Sequence, residues 1–346
     1  MSKAIRIGFI GAGGVARLQA ELLKKIPGAQ IVAVADVNDA SLDQFKKQFN
    51  PPRVFKNWKQ LLAMPGLDAV SVCTPNKLHC APAIAALKAG KHVLVEKPMA
   101  MNAREAQAML AAARKAKRLL QVGFQWRFTP AAQLLRKRVA GGSFGDILYV
   151  RCQALRRRGI PSWGVFGRKD LQGGGPMIDI GVHILEMAHF IIGAPKPVSA
   201  SASCYTYLGD KKPAALCRWG AWDYKSYTVE DLAVGFVRFA TGGSLVIESS
   251  FAAHIEKDVF TIQVMGTKGG ATFDPLQIFT DDQGYMMTLA PAFVGAGDGF
   301  EYKMRHFCEC ARDGRKCEAP GEDGLAVQQM LDAIYKSAGV NREVRI

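Results

Sequence analysis

The chain reads Ile5-Arg6-Ile7-Gly8-Phe9-Ile10-Gly11-Ala12-Gly13-Gly14-Val15-Ala16 near its start. An apolar strand pattern runs into a glycine-rich turn that opens a helix, which is typical of a dinucleotide-binding Rossmann unit. Gly11 allows the tight turn, Gly13 lets the backbone approach a pyrophosphate, and Ala16 permits close packing of helix on strand. The first N–H groups of the helix then face the phosphates. The predicted cofactor-binding residues here are Gly11, Gly13, Gly14, Val15 and Ala16.

An acidic residue follows the second strand pattern, Ile31–Ala35, at the spacing that this motif needs. Asp36 lies twenty positions after Ala16 (36 − 16). A carboxylate there accepts both hydroxyls of the adenosine ribose and repels a 2′-phosphate, and no arginine adjoins it to receive that phosphate. The sequence therefore predicts NAD, with NADP as the less favoured alternative. The remaining alternative is a glycine turn in another α/β domain, with Asp36 as a helix cap.

Apolar runs alternate with helical patterns over the first 125 residues. This alternation indicates βαβ units and a doubly wound parallel sheet with helices on both faces. The predicted strands are Ile5–Ile10, Ile31–Ala35, Ala69–Cys73, Val93–Val95 and Leu120–Gly123, and the predicted helices are 14–25, 40–49, 78–89 and 102–116. Asn102 and Glu105 are spaced as a capping box for the last of these helices.

The regular alternation of strand and helix patterns ends after residue 125, and a chain of 346 residues favours two domains. Short glycine-containing turns join the later strand patterns, among them Thr241–Gly243 and Thr267–Gly270, which indicates a largely antiparallel sheet. The predicted helices are 130–140, 177–192, 301–312 and 323–336, and the predicted strands are Ile147–Leu155, Val198–Tyr207, Leu232–Phe239, Ser244–Phe251, Val259–Met265 and Gln277–Thr280. The prediction is a Rossmann domain over 1–125 and a substrate-binding and oligomerisation α+β domain over 126–346.

Composition narrows the class of protein. The net charge is +15, but the basic residues are spread along the chain without a nucleic-acid-reading module, so no nucleic-acid partner is predicted. No apolar run is long enough to span a membrane, and the charged N-terminus does not read as a signal peptide. The eight cysteines form no CxxC pair, which favours free thiols and a cytoplasmic location. Cys308, Cys310 and Cys317 do not have the spacing of a zinc motif, and no metal is predicted.

Three further polar residues carry the candidate chemistry. Lys97 follows the strand pattern His92–Val95, at the carboxyl end where open α/β sheets bind ligands. Asp179 and His183 lie four apart, on one face of a predicted helix. An imidazole can take the proton of an alcohol near neutral pH, and an ammonium group can stabilise the developing alkoxide. The alternatives are a solvated lysine and an ordinary polar pair; a metal at Asp179 and His183 lacks a third ligand of suitable spacing.

Together with the glycine loop, the segments Cys73–His79, Glu96-Lys97-Pro98 and Gly173–His183 resemble the glucose-fructose oxidoreductase/inositol dehydrogenase (Gfo/Idh/MocA) family over essentially the whole chain. The resemblance implies an NAD(P)-dependent sugar, polyol or cyclitol dehydrogenase that forms a homodimer or homotetramer. It implies catalytic roles for Lys97, Asp179 and His183, and a cis bond before Pro98.

The resemblance also extends the predicted binding residues. Those proposed for the cofactor are Thr74, Pro75, Asn76, His79, Glu96, Lys97 and Arg127. A capping or packing role for His79 stays open. The loop from Arg156 to Lys169 precedes the Gly173–Gly175 turn, and it resembles that of family members that oxidise pyranose rings. Its aromatic side chains could stack on a sugar and its cations could bind hydroxyls. The predicted substrate-binding residues are Lys97, Arg156, Trp163, Asp179 and His183.

The sequence thus predicts an NAD-dependent oxidoreductase acting on a secondary alcohol of a sugar, sugar glycoside or polyol. Two alternatives remain at this point. One is a glycosidase that oxidises its sugar transiently on bound NAD, and the other is a non-catalytic NAD-binding protein.

Overall fold

The computed structural model describes residues 4–217 and 219–346. It contains two compact units, and neither is continuous in sequence. The first comprises the residues up to Phe128 together with Gly297–Leu325, and the second comprises Thr129–Ala296 and Ala326–Ile346. The sequence placed the boundary at residue 125 and assigned 297–325 to the second domain, whereas the structure packs that segment with the first unit.

The first unit is built on a six-stranded parallel sheet in the order β3-β2-β1-β4-β5-β6. The strands are β1 (Ile5–Ile10), β2 (Ala29–Ala35), β3 (Arg53–Phe55), β4 (Ala69–Val72), β5 (His92–Val95) and β6 (Leu120–Val122). The order reverses beside β1, which is the topological switch point of a doubly wound sheet. The predicted α/β class is confirmed. The sequence missed β3, a three-residue edge strand without a buried residue.

Helices cover this sheet, and they are numbered here in chain order. They are α1 (Gly14–Leu23), α2 (Asp39–Phe49), α3 (Trp58–Leu62), α4 (Cys80–Lys88), α5 (Ala103–Ala116) and, later in the chain, α9 (Gly299–Asp313). Asn102 caps α5 as predicted, since its side chain accepts from the Glu105 N–H at 3.0 Å. The return bond differs from a strict capping box, because Glu105 accepts from the N–H of Met101 at 3.2 Å.

The amphipathic character of α9 explains why it belongs to the first unit. Its apolar face buries Met304, Phe307 and Cys308 in one cluster with Ile7 and Phe9 of β1. Burial of a large apolar side chain contributes about 1.5–3 kcal/mol. A helix far along the chain therefore completes the core of the Rossmann unit.

The second unit carries a nine-stranded sheet in the order β14-β13-β12-β11-β7-β10-β9-β8-β15. Among the described strands of this second sheet, only the β7–β10 pair is parallel, so the largely antiparallel prediction is confirmed. The strands are β7 (Ile147–Leu155), β8 (Pro197–Tyr205), β9 (Leu232–Phe239), β10 (Ser244–Ser250), β11 (Val259–Gly266), β12 (Gly269–Thr272), β13 (Gln277–Asp282), β14 (Tyr285–Leu289) and β15 (Val344–Arg345). Gly269 and Gly270, predicted as turn residues, begin β12 instead.

The helices of this unit are α6 (Pro130–Ala140), α7 (Lys169–Gln172) and α8 (Val182–Ile191), and α10 (Gly321–Val340) runs from the first unit into the second. The predicted helix 177–192 is two elements, because Met177–Gly181 forms a π-helical turn before α8 begins. In the described residues, no helix is both long and apolar enough to cross a membrane.

Candidate functional site

The turn between β1 and α1 can be made only by glycine at its first position. Gly11 has φ +98°, a left-handed conformation that a side chain disfavours. A Cβ atom there would also approach the carbonyl oxygen of Cys73 to 2.6 Å. The turn therefore lies directly against the end of β4, at the switch point of the sheet.

The next glycines face open space, as a phosphate-binding turn requires. A Cβ atom at Gly13 or Gly14 would have no neighbour within 4 Å. Gly13 caps α1 without a side-chain hydrogen bond, and the first turn of α1 holds no acidic residue. The positive end of the helix dipole and its first N–H groups are thus available to an anion. These residues fit the pyrophosphate of a dinucleotide.

Asp36 lies at the end of β2, where its half-buried carboxylate is fixed by two backbone groups. One oxygen accepts from the N–H of Ala12 at 2.7 Å and the other from the N–H of Asn38 at 2.9 Å. Each carboxylate oxygen keeps a further lone pair for a hydroxyl group. The bond to Ala12 joins the acid directly to the glycine turn, so the residues predicted to hold phosphate and ribose form one structure.

Asp36 should determine the choice between the two nicotinamide cofactors. Replacing it with serine removes the anion that repels a 2′-phosphate. We expect Asp36→Ser to raise the KM for NAD at least tenfold and to lower the KM for NADP, as measured by steady-state kinetics with each cofactor. Asp39→Ser, on the exposed start of α2, is the matched control and should change neither value by more than twofold. An unchanged ratio of the two KM values in Asp36→Ser would contradict this assignment.

The loop after β4 places Thr74–His79 beside the cis peptide Lys97–Pro98. His79 is 1% exposed, and its two ring nitrogens lie 2.8 Å from the carbonyl oxygens of Pro98 and Thr74. Burial lowers the pKa of His79, although both carbonyl groups act to raise it. His79 therefore joins the loop after β4 to the loop after β5, which agrees with the packing role that the sequence left open. Its contact with the cofactor stays a prediction, as do those of Thr74, Pro75 and Asn76.

Glu96 belongs to a buried polar cluster. Its carboxylate accepts from Lys303 of α9 at 2.7 Å and from Gln19 of α1 at 2.5 Å. Burial acts to raise the pKa of Glu96, but Lys303 and, to a smaller extent, Lys97 together outweigh it, so the pKa lies below its ordinary value. Sequence reasoning missed Lys303 and Gln19, because no local pattern pairs Glu96 with residues 207 and 77 positions away. Contact of Glu96 with the ribose stays a prediction.

Lys97 directly follows this cluster. Its backbone N–H donates to Glu96 at 3.4 Å, and its side chain is half-buried. Arg127, the other cation predicted near the cofactor, is fully buried and donates to Asp323 at 2.7 Å and to the carbonyl oxygen of Glu318. The structure thus gives Arg127 a role in fixing the segment before α10, and its approach to the cofactor stays a prediction.

In the second unit, the π-helical turn carries Asp179 and α8 carries His183, and both side chains are half-buried. Single π-helical turns inside helices occur frequently at functional sites. One helical turn still separates the two residues, so they lie on the same side of the helix.

A buried acid that the sequence did not reveal holds the start of this turn. The Glu230 carboxylate accepts from the N–H groups of Gly175 and Met177 at 2.9 and 3.2 Å, and from the Tyr335 hydroxyl at 2.7 Å. Burial raises the pKa of Glu230, although these three donors act to lower it. Gly175 must be glycine, because a Cβ atom there would lie 2.1 Å from the Glu230 carbonyl oxygen. Glu230 is thus a positioning residue for Asp179.

An aromatic group surrounds the predicted substrate residue Arg156. Its guanidinium lies 4.6 Å from the ring centre of Trp219 and 5.5 Å from that of Phe251. Burial lowers the pKa of Arg156, while Asp179 and Asp258 act to raise it. The Trp163 ring is 54% exposed and lies 5.2 Å from that of Trp219. Trp219 was missed, because it lies 56 positions after Trp163, whose ring it contacts (219 − 163).

The two units together define a class of protein, a dinucleotide-dependent oxidoreductase. Residues 5–124 match the model of an oxidoreductase family with an NAD-binding Rossmann fold, and residues 132–272 match the model of the GFO/IDH/MocA C-terminal domain. The chain belongs to the Gfo/Idh/MocA family. The predicted family and its cofactor, NAD, are confirmed.

Known relatives can be aligned with most or all of this chain. D-glucoside 3-dehydrogenase of Escherichia coli (strain K12) is 35% identical over 347 residues, covering 100% of this chain and 98% of the relative. Levoglucosan dehydrogenase of Pseudarthrobacter phenanthrenivorans is 27% identical, covering 88% and 86%. The solved complex of a levoglucosan dehydrogenase with NADH and levoglucosan has a TM-score of 0.85 at 25% identity, covering 99% and 100%.

Proposed function

We propose that this protein oxidises a secondary alcohol of a pyranoside or related sugar with NAD as the hydride acceptor. The observation that carries the proposal is the arrangement of the second unit, in which Asp179 and His183 lie one helical turn apart and Arg156 packs on the rings of Trp219 and Phe251. The names of the relatives, a glucoside dehydrogenase and a levoglucosan dehydrogenase, support the substrate class.

The chemistry assigns a role to each polar group. Bound NAD supplies the acceptor for the hydride. His183 takes the hydroxyl proton, since imidazole titrates near neutral pH. Lys97 stabilises the negative charge that develops on the same oxygen, and Asp179 orients the sugar or the imidazole. This proposal requires that Lys97 and His183 act on one substrate oxygen.

The sugar ring itself is assigned to the aromatic group. The exposed face of Trp163 offers a surface on which the C–H face of a pyranose stacks. Arg156, held against Trp219, has donors to spare for ring hydroxyls. A site that hydrogen-bonds a hydroxyl rejects an analogue without it much more strongly than a purely apolar pocket would.

The test follows NADH formation with purified protein, NAD and a panel of methyl glycosides, anhydrosugars, free pyranoses and inositols. We expect at least one pyranoside to exceed the inositols by tenfold or more in kcat/KM. The analogue of the best substrate that lacks the hydroxyl at carbon 3 is the matched control, and it should give no NADH if oxidation occurs there. Absence of NADH with every sugar would overturn the proposal, and sugar release without net NADH would favour transient oxidation and glycoside cleavage.

We also propose a cytoplasmic homodimer or homotetramer. All eight cysteines are free, as expected in a reducing compartment. Exposed apolar side chains lie on one face of the sheet at β11 and β14, where Met265 and Met286 point to the same side. An exposed apolar face of this kind favours association between copies. Sedimentation equilibrium tests this proposal, and a monomer at micromolar concentration would contradict it.

A further inference from the structure

A cluster of three soft ligand groups lies in the first unit, on α9 and the segment after it. His306 and Cys310 are four residues apart on one face of α9, and Cys317 follows the helix. One ligand atom from each lies within 4.8 Å of the others. The prediction from sequence rested on the cysteines alone, whose spacing matches no zinc motif. The helix adds the histidine, which supplies the third ligand.

The distances suit a tetrahedral ion. Cys310 Sγ lies 3.3 Å from His306 Nε2. A tetrahedral zinc ion with Zn–S of about 2.3 Å and Zn–N of about 2.0 Å separates sulfur and nitrogen ligands by about 3.5 Å. His306 Nε2 also accepts from the N–H of Glu318 at 2.8 Å, so it carries its single lone pair rather than a proton, and a metal ion bound at Nε2 would replace this hydrogen bond. The ring therefore presents a ligand atom to the cysteines.

The surroundings hold the three groups in place. The His306 ring packs on Phe128 at 5.1 Å between ring centres. Cys317 Sγ lies 3.6 Å from Oε1 of Gln121, which is fully buried and is fixed by a bond from its Nε2 to the Lys303 carbonyl oxygen at 3.2 Å. The amide oxygen of Gln121 thus lies beside the Cys317 sulfur.

We propose that His306, Cys310 and Cys317 bind a zinc-like divalent cation, with the amide oxygen of Gln121 or a water molecule as the fourth ligand. Two thiolates and one imidazole favour Zn²⁺ over hard cations such as Mg²⁺. Binding releases the remaining thiol protons, and the charges of two thiolates then balance that of the ion.

The ion would join the segment after α9 to the helix itself. Glu318 accepts from Arg127, and the neighbouring Ala319 accepts from the backbone N–H of Val122 in β6. Fixing Cys317 therefore fixes the strand-like segment that borders β6. The proposed role is structural, and it does not depend on the proposed enzymatic function.

The test uses full-length protein, reduced and stripped with a chelator, and adds Co²⁺ and then Zn²⁺ alone. We expect one equivalent of Co²⁺ to give a thiolate-to-metal absorption band that Zn²⁺ abolishes. Cys317→Ser and His306→Gln should each weaken Zn²⁺ binding about 100-fold or more in competition with a chromophoric chelator. Cys308→Ser, on the same helix but outside the cluster, is the control and should bind as the unaltered protein does.

Three results would overturn the site. They are absence of the Co²⁺ band with both thiols reduced and reactive, unchanged affinity in Cys317→Ser, and a Cys310–Cys317 disulfide that forms in air and leaves no metal bound. Circular dichroism of each variant shows that it is folded. Cys310→Ser serves as a second ligand variant if either of the others fails to fold.

Discussion

Replacing His183 with alanine should lower kcat by about 100- to 10,000-fold, because the proposed general base for the hydroxyl proton is lost. Lys97→Ala should lower kcat by about 100- to 1,000-fold, because the proposed stabilising charge on the developing alkoxide is lost. NAD affinity of His183→Ala should stay within threefold, since the glycine turn and Asp36 lie in the first unit. Steady-state kinetics and calorimetric titration with NAD measure the two quantities.

Matched controls separate these effects from general damage. Lys88→Ala changes an exposed residue at the end of α4 that is not part of the candidate site, and it should retain full activity. If Lys97 and His183 act on one oxygen, the double variant should lose far less than the product of the two single losses. A fully multiplicative loss would contradict the shared oxygen, and activity above one tenth in either single variant would contradict its assigned role.

Replacing Lys303 with methionine should cost about 3–5 kcal/mol of the free energy of unfolding, measured by urea denaturation. The variant keeps the side-chain volume but leaves the Glu96 carboxylate buried without its cation. The pH dependence of the free energy of unfolding should also reverse in this variant. In the unaltered protein the lowered pKa of Glu96 gives a stabilisation that is present above the unfolded pKa and is lost as the pH falls through the folded pKa. Without Lys303, burial raises that pKa, so acidification toward pH 5 stabilises the variant.

Two comparisons give this prediction its controls. Glu96→Gln added to Lys303→Met removes the unpaired charge and should recover at least part of the loss. Lys24→Met removes one partner of the exposed Lys24–Glu21 pair, whose side chains are each 54% accessible, and should change stability by less than about 0.5 kcal/mol. A loss below about 1 kcal/mol in Lys303→Met would contradict the stabilising role of the buried pair.

The predictable parts of this molecule are those that local chemistry determines. The Gly11–Ala16 turn and Asp36 predict the nucleotide-binding loop from sequence, because strand, turn, helix and acid occur at fixed spacings. Most of the longer helices and strands were predicted within a few residues of their observed ends, since apolar periodicity follows the core. The exposed strand β14 and the short elements α3, α7, β12 and β15 were not predicted. The segment around Asp179 was located correctly, but its π-helical turn was not, because one residue more or less per turn leaves the apolar pattern almost unchanged.

The parts that could not be predicted depend on distant partners. Glu230 reads as an ordinary acid, yet it caps a turn more than fifty residues earlier. His306 reads as a helix-surface residue, and only folding brings Cys317 to it. Lys303 and Trp219 were missed for the same reason, since only the tertiary fold brings each of them into contact with its partner. Residue type and spacing therefore revealed the groups with local signatures, and they missed those that position them.

The position of α9 late in the sequence affects how the first unit folds during synthesis. A growing chain has released the whole of β1–β6 long before it reaches Lys303, with nearly all of the second unit synthesised in between. Until then, Ile7 and Phe9 lack their α9 neighbours, and Glu96 lacks its cation. The apolar surface of the nascent Rossmann unit is therefore incompletely covered until α9 has been synthesised. A chain truncated before α9 should expose this surface and should be a target for chaperones and proteases.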